Sequence, residues 1–497
     1  MSAPRARPVL PIPTGEAGAA SLGPSREADR GIVFGTSGWR GILAEDFTFA
    51  RARAAVTGVA RWVRENGAGA RVWVAHDRRF LGERFAAEAL AVLAAEGLRP
   101  ILVQSPVATP VVSHGVVRRR VAAALIFTAS HNPASYQGLK VLGAEGGSLG
   151  RAATDRIEVL ANAALHDGSE TPPGSPPLRP RRSLDLLRPY LGDLVRRLDA
   201  RALRRSGLTV VYDALHGAGA GVLDAALVRV GVHVSTRNGE SDPVFGGAAP
   251  DPVPARLVPL CRAVRRGSGL RLGLATDGDA DRLAVVDAAG RCLTETQTLA
   301  LLVDHLAATG RIHRGVALSV ATGSLVERVA SSHGLSVKRH PIGFSHLTRA
   351  LVDGAADVAG EESGGFALES FSRDKDGILA GCFVAELVAI RRRPLRALVQ
   401  ELERRYGASA CGRTALPATA PLSAALDRLT ESPPDRVGRE RVRGADTACG
   451  LRLELADGFL LLRASGTEPV IRLYGEARSE AGLRARLRTG ARLLGAR

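Results

Sequence analysis

The sequence predicts an α/β protein of several domains. Three observations carry that prediction. A strand–helix–strand pattern recurs three times, apolar residues make up 45% of the chain with aromatics at only 4%, and 56 glycines and 27 prolines supply abundant turns. The length of 497 residues holds about three to five domains at roughly 100–200 residues each. With so few aromatics, the cores must be built from alanine, valine and leucine.

The first repeat opens with the strand VWVAHD from residue 72, continues as a helix over 86–96, stops at Gly97 and resumes as ILV at 101–103. The second runs from LTVVYD at 208 through a helix over 219–230 and Gly231 to VHVS. The third runs from VALSV at 316 through 323–333 and Gly334 to LSVKR. Short apolar strands joined by an amphipathic helix make right-handed crossovers between parallel strands. Glycine just past the last helical residue is the usual stop. The likeness is one of pattern rather than residue identity. The segment 167–180, DGSETPPGSPPLRP, reads as a loop or linker. After Cys411 the chain changes to short alternating strands (LRLEL, FLLLR, IRLYGEA) and a closing Arg/Leu helix, a small α+β domain.

The formal net charge is +17, nearly all of it from arginine, since lysine occurs only at Lys140, Lys338 and Lys375. The arginines are scattered in short groups, such as Arg118, Arg119 and Arg120, which reads as solvated helix faces. The absence of interleaved aromatic and basic residues argues against a nucleic-acid platform. Five cysteines without a CxxC pair show no zinc or redox motif and fit reduced thiols in a cytoplasm. No apolar run is long enough to cross a bilayer. The first 30 residues lack an apolar signal core and read as a disordered extension.

Five segments can carry chemistry. TASHNP at 128–133 follows the buried strand AAALIF, and strand ends host active sites in parallel α/β sheets. Ser130 is a candidate nucleophile or phosphate carrier, although the same residues also make an ordinary turn. The G-x-S-x-G elbow of serine hydrolases is missing. DGDADR at 277–282 places Asp277, Asp279 and Asp281 at alternate positions after the strand LGLA, where they can converge on one hard cation. An EF-hand loop is excluded, because its sixth and twelfth positions are Arg282 and Ala288. GEESGG at 360–365 offers a carboxylate and a hydroxyl for sugar hydroxyls, or a plain polar turn. RASGTEP at 463–469 combines backbone N–H groups, two hydroxyls and a guanidinium in a potential anion nest, with Arg472 nearby. GTSGWRG at 35–41 is a Gly-rich loop with one arginine.

Taken together and in order, GTSGWRG, TASHNPASYQGLK, DGDADR, GEESGG and RASGTEP resemble the α-D-phosphohexomutase family, the phosphoglucomutases and phosphomannomutases. The resemblance covers nearly the whole chain from about Gly31. It implies four domains around a central cleft, three βαβ-type mixed-sheet domains and a smaller C-terminal α+β domain. The expected division is a disordered extension over 1–30, a phosphoserine domain I over 31–190, a metal-binding domain II over 191–300, a sugar-binding domain III over 301–410 and a phosphate-binding domain IV over 411–497.

By position, the resemblance implies Ser130 as the phosphoserine. Asp277, Asp279 and Asp281, with Ser130, are implied as ligands of Mg²⁺. Arg40, Lys140 and Arg282 are implied as cations around the transferring phosphoryl group, and His131 as the residue that tunes it, with Lys375 a further catalytic residue. Glu361, Ser363 and Gly343 would meet the sugar, and Arg463, Ser465, Gly466, Thr467 and Arg472 the distal phosphate.

The implied activity interconverts hexose 1-phosphate and hexose 6-phosphate, of glucose and/or mannose, through a hexose 1,6-bisphosphate that also acts as activator. It implies a cytoplasmic monomer or homodimer that binds neither nucleic acid nor membrane. A phosphoglucosamine or N-acetylglucosamine phosphate mutase, or a non-catalytic sugar-phosphate binder, are the alternatives.

The chain departs from the family's usual pattern at Ser345, where lysine is expected and His346 is the substitute at hand. It departs again at Gly365, where some relatives carry histidine, and at Gln137, where asparagine is commoner. Lys140 is therefore the first candidate for general acid/base, because neighbouring cations can lower its pKa. Lys375 is the second.

Overall fold

The computed structural model describes residues 31–67, 69–168, 183–465 and 469–496. The 1–30 extension, most of the 167–180 segment, and Gly466 and Thr467 lie outside the described residues.

The three repeats fold as the sequence predicts and share one topology. The first sheet comprises β1 (Trp39–Ile42), β2 (Arg71–His76), β3 (Arg99–Leu102), β4 (Ala123–Phe127) and β5 (Tyr136–Gly143), in the order β1-β5-β4-β2-β3. The second comprises β6 (Thr209–Asp213), β7 (His233–Arg237), β8 (Arg271–Thr276) and β9 (Leu283–Val286), ordered β7-β6-β8-β9. The third comprises β10 (Gly315–Ser319), β11 (Ser336–His340), β12 (Val358–Gly360) and β13 (Phe366–Leu368), ordered β11-β10-β12-β13.

In each sheet two strands flank a central one in parallel, through a helical crossover, and a further strand returns antiparallel. The returning hairpins β4–β5, β8–β9 and β12–β13 occupy equivalent places. Their connections are residues 128–135, 277–282 and 361–365, which carry three of the five chemical motifs.

The C-terminal unit is all-antiparallel. Its strands are β14 (Ala410–Pro417), the small pair β15 (Arg436–Val437) and β16 (Glu440–Arg441), β17 (Gly444–Asp446), β18 (Leu451–Leu455), β19 (Gly458–Ala464) and β20 (Val470–Ala477). The main sheet runs β14-β20-β19-β18-β17, backed by the helices Ala420–Glu431 and Glu480–Leu493. The turn bearing RASGTEP joins β19 to β20, so it too is a hairpin connection.

One apolar core runs from Tyr190 and Leu194 through Leu223 and Leu274 to Ile378, Phe383 and Val388, so the first three domains are packed as one body. The C-terminal sheet has its own core of Leu451, Leu453, Leu460, Leu462, Ile471 and Leu473. It docks on the third domain where Val320 and Ala321 meet Phe459, Leu461 and Tyr474. There Glu476 accepts from the Ser324 N–H and hydroxyl.

The helix Gly377–Arg391 is buried almost all round, as a helix without a polar face must be. Asp376 caps it by accepting from the Leu379 N–H at 2.8 Å, and also accepts the Tyr190 hydroxyl at 2.9 Å. Near its far end, Glu386 accepts from the Asp199 N–H, His305 and Arg311. Positions 190 and 300 of the expected division fall within the helices Leu187–Arg197 and Glu295–Ala308, and position 410 is the first residue of β14.

Burial pushes the Asp376 carboxyl up from 3.8 to about 7. The folded state therefore binds a proton that the unfolded chain releases. The stabilisation from the neutral acid is complete below pH 3.8 and lost as pH rises through about 7. Asp376→Asn keeps the cap and removes this titration. In urea unfolding the variant is expected to lose less stability than the natural chain between pH 5 and pH 8, by up to roughly 2.6 kcal/mol.

Candidate active site

The loop 277–282 is held from every side. The Thr109 N–H donates to the Asp279 carbonyl at 3.0 Å, the Ala218 N–H to Gly278 at 2.9 Å and the Gly377 N–H to Ala280 at 3.2 Å. Arg282 forms an antiparallel bridge with Gly365, which stitches this loop to the sugar-loop motif. A Cβ at Gly278 would stand 2.4 Å from the Ser130 carbonyl oxygen, so only glycine lets the two loops approach this closely.

Ser130 sits at the end of β4 with φ of 51°, a left-handed conformation that costs a non-glycine residue about 1–3 kcal/mol and persists where its surroundings over-determine it. Those surroundings are on view. The Ser130 N–H donates to the Thr128 hydroxyl at 2.9 Å, and that hydroxyl donates to Asp77 at 2.6 Å. The buried Arg79 guanidinium donates to the carbonyls of Ser130, Asn132, Pro133 and Tyr136 at 2.6, 2.6, 2.9 and 3.1 Å. The Ser130 hydroxyl is 3% exposed and donates to Asp277 Oδ2 at 2.7 Å. His131 Nδ1 lies 3.4 Å from the same hydroxyl. Burial, followed by Arg282 and Arg40, pushes this imidazole far down, so it is neutral.

Asp277, Asp279 and Asp281 are fully buried, and each offers a carboxylate oxygen within 4.8 Å of the others'. Burial and then its two neighbours push Asp277 well above the usual carboxylate range. For Asp281 burial acts in the same direction, but Lys375, Lys140 and Arg282 outweigh it and hold the acid below that range. Asp279 Oδ1 and Asp281 Oδ1 are buried and have no hydrogen-bond partner among the described residues. Repelling carboxylates clustered this closely, two of them with an orphaned oxygen, fit a divalent cation. The three aspartates with the Ser130 oxygen form the donor set that would hold it.

Lys140 Nζ lies 3.2 Å from Asp281 and 3.2 Å from Asp374, and Lys375 Nζ 3.2 Å from Asp281 and 3.6 Å from Glu361. This corrects the expectation for Lys140. Burial alone would lower its pKa, but Asp374, Asp281 and Asp279 outweigh burial and push it up. The lysine faces carboxylates rather than cations. Arg40 Nη1 donates to Asn132 at 2.7 Å. Burial and Arg282 disfavour its charge, while Asp279 and Asp281 support it.

Glu361 accepts the Ser363 hydroxyl, so the two polar groups of the sugar-loop motif face each other. Gly343, with φ of 126°, precedes the helix Phe344–Val352, and a Cβ there would meet Thr36 Cγ2 of the GTSGWRG loop at 3.2 Å. Ser345 and His346 fall in the first turn of that helix. A Cβ at Gly365 would stand 2.5 Å from Lys375 Cδ, so the lysine chain fills the space a larger residue would need. Arg463 and Arg472 are directly opposed in β19 and β20. Like charges facing across a ladder repel, and a bound anion would relieve that. The Ser465 N–H donates to Val470 across the same turn.

Sequence reasoning missed Asp77, Arg79, Thr109 and the part played by Asp374. Asp77 and Arg79 follow β2 at the same sheet end as Ser130, a signal that strand-end position could have supplied. For Thr109 the sequence shows only a Thr-Pro helix start.

The chain matches the phosphoglucomutase/phosphomannomutase α/β/α domain I over residues 31–166, domain II over 188–290 and domain III over 294–406, and the C-terminal domain of the same family over 387–488. It is 30% identical to a phosphoglucomutase/phosphomannomutase of Thermococcus kodakarensis, over 93% of this chain and 98% of that one. It is 31% identical to a phosphoglucosamine mutase of Acidothermus cellulolyticus, over 90% and 92%. The crystal structure of a putative phosphomannomutase from Thermus thermophilus superposes with a TM-score of 0.81 at 31% identity, covering 94% of this chain and 100% of that one. The chain therefore belongs to the phosphoglucomutase/phosphomannomutase family of intramolecular phosphotransferases.

Proposed function

We propose that this enzyme interconverts hexose 1-phosphate and hexose 6-phosphate, with glucose or mannose as the sugar, through phosphorylated Ser130 and a hexose 1,6-bisphosphate. The observation that carries the reading is the buried Ser130 hydroxyl 2.7 Å from Asp277, in a donor set of three aspartates. A magnesium ion held there supplies positive charge that offsets the charge of the phosphoryl oxygens.

In the first transfer the bond from phosphorus to the Ser130 oxygen breaks and a bond to the free sugar hydroxyl oxygen forms, while that hydroxyl gives up its proton. The bisphosphate then turns within the cleft. Its other phosphoryl group returns to Ser130, and the sugar oxygen it leaves takes a proton back. Such transfers depend on positioning and charge stabilisation more than on covalent chemistry.

Each group has a part that suits its surroundings. Arg40, Arg282 and Lys375 ring His131 beside the serine. Lys140, whose proton is held by Asp281 and Asp374, acts as a fixed positive charge. Lys375, between Asp281 and Glu361, is placed to exchange the proton with a sugar oxygen. Glu361 and Ser363 accept vicinal sugar hydroxyls in either orientation. Arg463, Ser465 and Arg472, together with Gly466 and Thr467, hold the phosphate that is not reacting, with Gly343 at the edge of the sugar site. The likeness to a phosphoglucosamine mutase supports a second reading with an amino sugar.

Intact-protein mass spectrometry after incubation with glucose 1,6-bisphosphate is expected to show one phosphate adduct mapping to Ser130. Ser130→Ala is expected to abolish the adduct and lower turnover on the order of 10³-fold or more. Unchanged turnover in that variant would sink the phosphoserine mechanism. On a panel of 1-phosphates, glucose and mannose are expected to give kcat/KM at least about tenfold above glucosamine, equivalent to about 1.4 kcal/mol in the barrier. The reverse order would favour the amino-sugar reading.

A further inference from the structure

We propose that Thr109 is a positioning residue for the metal site, setting the affinity of the aspartate trio by fixing the carboxylate of Asp279. The inference rests on the reading that these aspartates hold a divalent ion.

The three carboxylates are each pinned, and by different means. Asp277 accepts from the Arg282 N–H at 3.1 Å and from the Ser130 hydroxyl. Asp281 Oδ2 lies 3.2 Å from both Lys140 and Lys375. Among the described residues Asp279 has one side-chain partner, the Thr109 hydroxyl, which donates to Oδ2 at 2.7 Å. Its other oxygen, Oδ1, is buried and has no partner.

Thr109 makes a second contact with the same residue, its N–H donating to the Asp279 carbonyl at 3.0 Å. Both residues are fully buried. Thr109 opens the helix Thr109–Arg119 in the first domain, whereas Asp279 lies on the β8–β9 connection of the second. The backbone contact fixes where the aspartate sits. The hydroxyl contact fixes how its carboxylate is turned, which leaves Oδ1, buried and without a partner among the described residues, as the oxygen open to a cation. A hydroxyl does this without adding positive charge. The lysines on Asp281 draw on the very charge that attracts a cation, and Thr109 does not. Partners of this outer kind typically alter metal affinity by about 10–100-fold when removed.

The test is titration of the full-length, metal-stripped protein with Mn²⁺, read by the heat of binding and by the electron paramagnetic resonance signal of the free ion. Thr109→Val keeps the size and the backbone contact but removes the hydroxyl. It is expected to bind Mn²⁺ about 10–100-fold more weakly than the natural chain, and to unfold earlier than natural when metal-free, because the buried Asp279 carboxylate loses a hydrogen-bond donor. Thr109→Ser restores the hydroxyl and is expected to recover the affinity. Should Thr109→Val fail to fold, Thr109→Ala carries the same expectation.

If the natural chain binds Mn²⁺ at a site that Asp279→Asn removes, and Thr109→Val binds it equally well, the role assigned to Thr109 is wrong while the metal site stands. If Thr109→Ser is as weak as Thr109→Val, the methyl packing matters rather than the hydroxyl, and the proposal is again overturned. If the natural chain shows no such Asp279-dependent site, the reading beneath the proposal fails.

Discussion

Three carboxylates buried on one six-residue connection are the constraint around which the rest of the molecule is arranged. Burial and then their mutual repulsion raise the pKa of Asp277, while Lys375, Lys140 and Arg282 outweigh burial and hold Asp281 below the usual carboxylate range. Left in a dry interior without compensation, such a cluster would be strongly destabilising. The compensation comes from across the chain, with Thr109, Ser130 and Lys140 from the first domain and Lys375 and the Gly365 bridge from the third. The continuous core joining these domains holds those partners in place.

The repeat explains how three motifs far apart in sequence come to one place. In each of the first three domains the connection that leads into the antiparallel return strand carries chemistry: Ser130, the aspartate trio, and Glu361 with Ser363. The C-terminal domain repeats the solution with a different sheet, placing Arg463 and Arg472 at the mouth of its own hairpin. One kind of turn, at the same position in each of the first three sheets, carries different residues in each domain. A strand-end hairpin is suited to this, because its backbone is fixed by the ladder while its side chains project beyond the sheet.

Much of this was legible in the sequence. Strand–Gly-stopped helix–strand patterns marked all three crossovers, and alternating aspartates after LGLA marked the acidic connection. What escaped was whatever depended on distant pairing. Lys140 looked like a lysine among cations, yet the structure sets it between Asp281 and Asp374, so its pKa moves the other way. Arg79 reads as one more surface arginine until four carbonyls of the serine loop are seen converging on it. Thr109 owes its importance wholly to a residue in another domain.

The account turns on a cation held by the three aspartates against the Ser130 oxygen. Anomalous diffraction from crystals soaked in Mn²⁺ addresses this directly. The account predicts one strong peak bonded to oxygens of Asp277, Asp279 and Asp281 and to the Ser130 oxygen or its phosphate. A cleanly resolved trio with no peak, or a peak elsewhere in the molecule, would contradict it.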